Sequence, residues 1–348
     1  MDALGHLRLY FTAILSSFLL MGCQITYLAK SAYNQMNILY HREPIEKVLQ
    51  RDDLTKEERA KLELTMRIRS FAQERLQLKV GKNYSTYVQL KRPYVVWAVN
   101  ASPKWRLEHY LWHFPIVGSV PYKGFPDEAD ATEEAKNLQA EGYDTFVRGV
   151  SAYSTLGWFS DPLLSSMVRY SEEDLVNTII HESVHSTLYI KSNADFNERL
   201  ASFVGDKGTE IFYLEIEGPN SPHIEAIKAE NEDQKTFSKF ISEEIKLLNE
   251  FYKDHKDHDI ELRETKFAEL QKRFRENVRP RLKSQSYGNF DKIPLNNARL
   301  MLFRTYIEDL SDFQRLLDST QGNLVSFLEK VKTLESHPNP VEGLKELY

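Results

Sequence analysis

His181 and His185 stand four residues apart in the string HESVH, with Glu182 beside the first of them. On a helix that spacing is one turn, so both imidazoles leave the same face and can share one tetrahedral ion at about 2.0–2.1 Å. Glu182 points off that face, where a carboxylate can take the proton of a water attacking a carbonyl without being a ligand itself. This is the zinc-peptidase pattern. A pentapeptide of this kind arises by chance on the order of once per hundred chains of this length, so its surroundings have to carry the assignment.

The surroundings supply a helix and a third donor. Ser171 and Asp174 form a cap, and Leu175, Val176, Ile179, Ile180, Val184 and Leu188 follow at buried-helix spacing. A catalytic zinc takes three protein ligands and keeps a fourth position open. Glu198, in NERLAS thirteen residues after His185, is the candidate third ligand, with a turn around Asn193 reversing the chain between two helices. Asp206, about two turns further on, is placed to orient a ligand histidine. If the two histidines were merely polar members of an amphipathic helix, burying them and a glutamate without partners would be costly, whereas coordination satisfies all three. The other i,i+4 pair, His109 and His113, lies in the aromatic string HYLWH with no glutamate and reads as structural; His255 and His258 in KDHKDHD read as solvated.

The elements that must hold this constellation are mostly helices. Tyr27–Tyr40 and Leu54–Leu78 have helical spacing, the second opening on the capping box Thr55-x-x-Glu58 before Leu62, Met66, Phe71 and Leu76. From Tyr94 to Val150, short β-branched and aromatic runs broken by Pro, Gly and Asn predict a small sheet. Residues 225–285 predict a charged helical hairpin with KDHKDHD at its tip and Pro280 ending the second arm, and two more helices are expected near 295–318 and 321–335. The fold class is α+β, mainly helical. The divisions are a leader at 1–22, an N-terminal helical region at 23–90, a catalytic core at 91–215 and a C-terminal helical region at 216–348.

The amino terminus directs the chain to a membrane. Arg8 precedes an apolar run from Leu9 to Met21, about 13 residues long and too short for an ordinary spanning helix of about 20. Leu20-Met21-Gly22-Cys23 resembles a bacterial lipobox, which makes Cys23 the expected site of a lipid anchor; Gln24 after it implies the outer membrane, with the chain facing the periplasm. Cys23 is the only cysteine, so an intramolecular disulfide and a Cys-based metal site are both excluded. With 45 basic against 51 acidic residues the chain lacks the cationic footprint of a nucleic-acid binder. Apolar residues at 41% and only 27 Gly plus Pro in 348 exclude a disordered or collagen-like chain.

Four stretches together resemble the bacterial predicted aminopeptidases, a family of zinc-dependent lipoproteins. They are the lipobox with its following helix, RPYVVWAV at 92–99, the run from VSAYSTLGWFSDPLLSSM through HESVH to FNERLASFVG, and PLNNARLMLFRTY at 294–306. The resemblance implies a zincin-like catalytic core of the Glu-ligand type, with Zn2+ held by His181, His185 and Glu198, Glu182 as the base and a peptide as substrate. Ala152–Trp158 precedes the active helix as the substrate-pairing edge strand of zinc peptidases does, and Tyr153 within it is a candidate donor to the developing oxyanion. The G-x-M-E-N element by which larger zinc aminopeptidases hold the substrate amine is absent; Glu198 and Asp161 are the remaining candidates. The alternative from another class is a lipoprotein adaptor with a structural zinc, binding a protein partner through 225–285.

Overall fold

The structure is a computed structural model that describes residues 26–114, 118–152, 155, 159–191, 193–255, 259–306 and 310–348. Cys23, Tyr153 and His258, together with most of the AYSTLGW stretch, lie outside the described residues.

Helices dominate. Residues 26–40 form α1, followed by β1 (Glu43–Pro44), the single-turn α2 (Ile45–Val48) and α3 (Lys56–Glu74). The expected capping box starts α3: Thr55 Oγ1 accepts from the Glu58 amide at 3.1 Å, and Glu58 Oε2 accepts from the Thr55 amide at 2.8 Å. The helix stops earlier than Leu78 because Gln77 takes the left-handed backbone conformation, φ 56°. Leu76 and Leu78 are nonetheless buried, packed from the turn that follows.

The region expected to be one small sheet holds more. The strands are β2 (Thr86–Val88), β3 (Val96–Pro103), β4 (Trp112–Phe114), β5 (Gly118–Val120), β6 (Lys123–Phe125), β7 (Tyr143–Val150) and β8 (Leu163–Leu164), with helix α4 (Glu128–Ala140) between β6 and β7. They pair as β1-β2-β8, as β6-β3-β7 and as the hairpin β4-β5. The long pair is antiparallel, Val96 opposite Val150 through Pro103 opposite Tyr143, while β2 runs parallel to β8. The inserted α4 has little apolar patterning: only Ala131, Ala135 and Leu138 are buried, against the Val99 and Ala101 face of the sheet. That short, small-residue stripe is a weak helix signal amid aromatic runs.

The remaining helices are α5 (Glu172–Thr187), α6 (Ala194–Glu217), α7 (Pro222–Asp254), α8 (Ile260–Asn277), α9 (Asn297–Tyr306), α10 (Ser311–Ser319), α11 (Leu324–Lys332) and α12 (Pro340–Lys345). The hairpin is α7 and α8 as expected, whereas the helix expected at 295–318 is two, α9 and α10. The hairpin's apolar face is covered by its own chain: Phe237, Phe240, Phe267 and Phe274 pack with Phe290, Leu300 and Met301. A buried network ties it to the sheet. Arg263 of α8 pairs with Asp144 of β7, and Asp144 Oδ2 also accepts from the Asn297 amide at 2.9 Å. Asn297 in turn accepts from the Tyr252 hydroxyl at 2.7 Å and donates to the carbonyl of Pro103 at 2.9 Å. Breaking such a pair would strand a buried charge, which explains the polar Asn-Asn dipeptide inside PLNNARL.

The largest core lies under α5, whose Leu175, Val176, Ile179, Ile180 and Val184 are fully buried against α3, α6 and the C-terminal helices. Among the described residues no helix is long and apolar enough to cross a membrane.

Candidate metal centre

Helix α5 starts where the sequence sets it, with Ser171 Oγ accepting from the Asp174 amide at 3.0 Å. Its apolar stripe fixes the rotation, so His181 and His185 leave one face of the last two turns toward α6, His185 itself buried. Their rings stand edge to face with centroids 4.9 Å apart. Helix α6 runs alongside at close approach: a Cβ on Gly208 would come within 3.0 Å of the Ile180 side chain. A larger residue there would push the two helices apart.

Glu198 sits on the first turns of α6 and reaches across to both rings. Its Oε2 is 3.5 Å from His181 Nε2 and its Oε1 is 3.4 Å from His185 Nε2. These separations are long for charge-assisted hydrogen bonds, yet they match the edge of about 3.4 Å between donors set about 2.0–2.1 Å from one tetrahedral centre. One donor atom from each of the three residues lies within 4.8 Å of the other two, and this is the one such group among the described residues. The donor set, two imidazoles and a carboxylate, suits zinc or a similar transition ion, and the three residues can hold a metal ion.

The electrostatics agree with a cation site. Burial alone would depress His181, but Glu198, Glu182 and Asp206 outweigh it and hold the imidazole above its ordinary value. Burial works against the Glu198 carboxylate as well, and the two histidines reverse it, holding Glu198 far below the usual carboxylate range. Glu198 remains accessible, its side chain 53% exposed, so the group opens to solvent on that side.

Glu182 is not part of the donor group. Its carboxyl is raised by burial, a shift that the two histidines oppose, and Oε2 is buried with no hydrogen-bond partner. An unsatisfied buried carboxylate oxygen is expensive and calls for an explanation beyond packing. Sequence reasoning missed Tyr84, which stands by it: burial first, then the charges of Glu182 and Asp161, push the Tyr84 hydroxyl well up. Nothing local marks Tyr84, which comes from a turn far upstream and is placed by tertiary packing. Exposed Tyr189, four residues past His185, has its ring 6.3 Å from that histidine.

The NE dipeptide divides two tasks. Glu198 faces the histidines, while Asn197, 1% exposed, locks the turn between the helices: it accepts from the Ile190 amide at 2.9 Å and donates to the Ile190 carbonyl at 2.8 Å. The backbone of residue 190 is thereby satisfied at one site and the entry to α6 is fixed. Asn197→Ala is expected to lower stability by roughly 2–4 kcal/mol and to weaken metal binding by about 10–100-fold. Urea denaturation of the metal-free chain and a competitive metal titration would read the two losses separately.

Asn83 links the site to the loop preceding α5. Its Nδ2 donates to Ser186 Oγ at 3.1 Å and its Oδ1 accepts from the Asp161 amide at 3.0 Å. Asp161, buried, accepts from the Thr155 amide at 3.0 Å and from the Thr155 hydroxyl at 2.8 Å. It therefore braces Thr155 with both oxygens and Asn83 with its amide, and is not a free anchor for an amine.

Asp206 does not hydrogen-bond a ligand histidine; Oδ1 accepts from Asn177 Nδ2 at 2.7 Å, one turn before His181 on α5. Burial, only partly offset by Asn177, pushes its carboxyl up from 3.8 to about 6. Between those values the unfolded chain ionises first, so stability falls as pH rises through that window. In the metal-free chain Asp206→Asn should gain up to about 3 kcal/mol above pH 6 and nothing below about pH 4, measured by urea denaturation at both pH values.

His113 is exposed on β4 beside Ser119, 2.7 Å from its hydroxyl, and His255 lies against the Phe251 ring; among the described residues neither belongs to a metal group.

No curated protein and no solved structure matches this chain. One family model does, that of the putative aminopeptidases, over residues 26–345. That span holds α5, α6 and all three donors of the centre, and it covers nearly the whole chain, which therefore belongs to the putative aminopeptidase family.

Proposed function

We propose that this protein is a zinc metallopeptidase, an aminopeptidase, anchored to the outer membrane as a lipoprotein and facing the periplasm. The observation that carries the reading is the convergence of His181, His185 and Glu198, whose donor atoms lie within 4.8 Å of one another, with the unsatisfied Glu182 carboxylate outside the group. Membership of an aminopeptidase family supports the substrate class.

Zinc bound by these three residues would act as a Lewis acid toward a peptide carbonyl and lower the pKa of water. Glu182 takes the proton from the attacking water and passes it to the leaving amine. Burial raises its carboxyl, the direction that suits a group that must both take and give a proton. The proposed core is zincin-like, with Tyr153 as oxyanion donor and the segment after β7 as the shelf for an extended substrate. Glu198 holds zinc in this scheme, so the group that binds the substrate amine is a different one. The proposed organisation is a leader at 1–22, lipidation at Cys23, and the catalytic core between two helical regions.

The test is hydrolysis of a mixed peptide library followed by mass spectrometry, with and without a zinc chelator. Stepwise loss of amino-terminal residues that chelation stops is the expected result. Internal cuts would replace the aminopeptidase reading by an endopeptidase, and intact peptides with tightly bound zinc would favour the adaptor.

A further inference from the structure

Helix α1 carries apolar residues on its outer face as well as on its packed inner one. An ordinary surface helix turns apolar residues inward and polar ones outward. Here the inner face includes Tyr27, whose hydroxyl donates to the Gly124 carbonyl at 2.9 Å, and Asn34, whose Oδ1 accepts from Arg92 at 2.5 Å, with Ile38 buried beside them. The outer face, at positions 29, 32, 33, 36 and 40, is Ala, Ala, Tyr, Met and Tyr, all exposed, with Tyr33 at 76%, Met36 at 59% and Tyr40 at 85%. No charge lies on that arc; the nearest, Lys30, turns aside to pair with Asp130 at 2.7 Å. Among the described residues, none covers it.

We propose that this face of α1 lies on the lipid bilayer, as a second attachment beside the acyl anchor. The proposal rests on the reading of Cys23 as lipidated. Thr26, the start of α1, is three positions after Cys23, and that length of chain spans at most about 10 Å. Acyl chains on Cys23 thus keep the start of α1 at the headgroup layer, and the helix extends about 22 Å from there with its uncharged face free. Tyrosines suit that depth, since the ring is apolar and the hydroxyl stays wet.

The test uses the full-length chain on phosphatidylethanolamine–phosphatidylglycerol vesicles, spin-labelled at Met36→Cys or, as a control on the hairpin, at Leu247→Cys; both sites are exposed. Collisions with an aqueous nickel chelate should be about fivefold rarer at Met36 than at Leu247, and collisions with oxygen more frequent. Equal nickel access at the two sites would overturn the proposal. So would spin–spin broadening at Met36, which would make the occupant a second copy of the chain. The parent chain, with no added cysteine, keeps the two readings apart: uptake of label at Cys23 would mean a free thiol and would overturn the anchor itself, whereas an unlabelled parent with an aqueous Met36 would overturn only the docking.

Discussion

Replacing Glu182 by Gln is expected to lower peptide turnover by about 10²–10⁴-fold while leaving one metal ion per chain. The substitution keeps size and shape at a buried position but removes the basic oxygen. Glu182 stands outside the donor group, so metal affinity should change little. Its Oε2 has no hydrogen-bond partner to lose, and its charged form is disfavoured by burial, so the neutral amide should leave the fold as stable as before or slightly more so. A variant with normal zinc content, normal melting and no turnover would locate the defect in proton transfer. Full activity in that variant would remove the proposed base. The companion measurement is KM, which should stay near the parent value if the residue acts on the transition state and not on binding.

Replacing Glu198 by Ala should cost metal affinity more than the roughly 10–100-fold expected for loss of a supporting residue such as Asn197. Glu198 supplies one of the three donors and the only negative charge in the set, and it faces both histidines at 3.4–3.5 Å. Its side chain is 53% exposed, so truncation opens little cavity and the metal-free chain should still fold. The expected result is near-complete loss of bound zinc in competition with a chelator, with a somewhat lower thermal midpoint for the metal-free protein because the carboxylate's pairing with both histidines is lost. Retention of zinc with parent affinity would show that Glu198 is not a ligand. The contrast with Asn197→Ala is informative, because that variant should lose stability and only part of its metal affinity: one residue of the NE dipeptide builds the turn and the other uses it.

Much of this centre was legible in the sequence because its signals are local. The i,i+4 histidines, the Ser171 cap and the apolar stripe of α5 each need only one helix to be read, and Glu198 needs one further turn. The hairpin α7–α8 was legible for the same reason, a long periodic pattern broken by a charged tip. The features that escaped depend on distant chain segments. Tyr84 is held near Glu182 by contacts across the chain, its amide donating to the Asp161 carbonyl at 2.6 Å, and no spacing rule connects them. Asp206 was placed on the right face, yet it bonds Asn177 and not a histidine, a choice of partner that periodicity does not specify. Helix α4 carries little signal of its own in the sequence, because its buried stripe is two alanines and one leucine, too slight to stand out among aromatic strands.

The most direct test of the account is anomalous diffraction at the zinc edge from crystals of the purified, zinc-loaded protein. The account predicts a single peak bound by His181 Nε2, His185 Nε2 and a Glu198 oxygen, with the fourth position held by solvent and the Glu182 carboxylate beside it but unbound. A fourth protein ligand closing the site, or no zinc between α5 and α6, would contradict it.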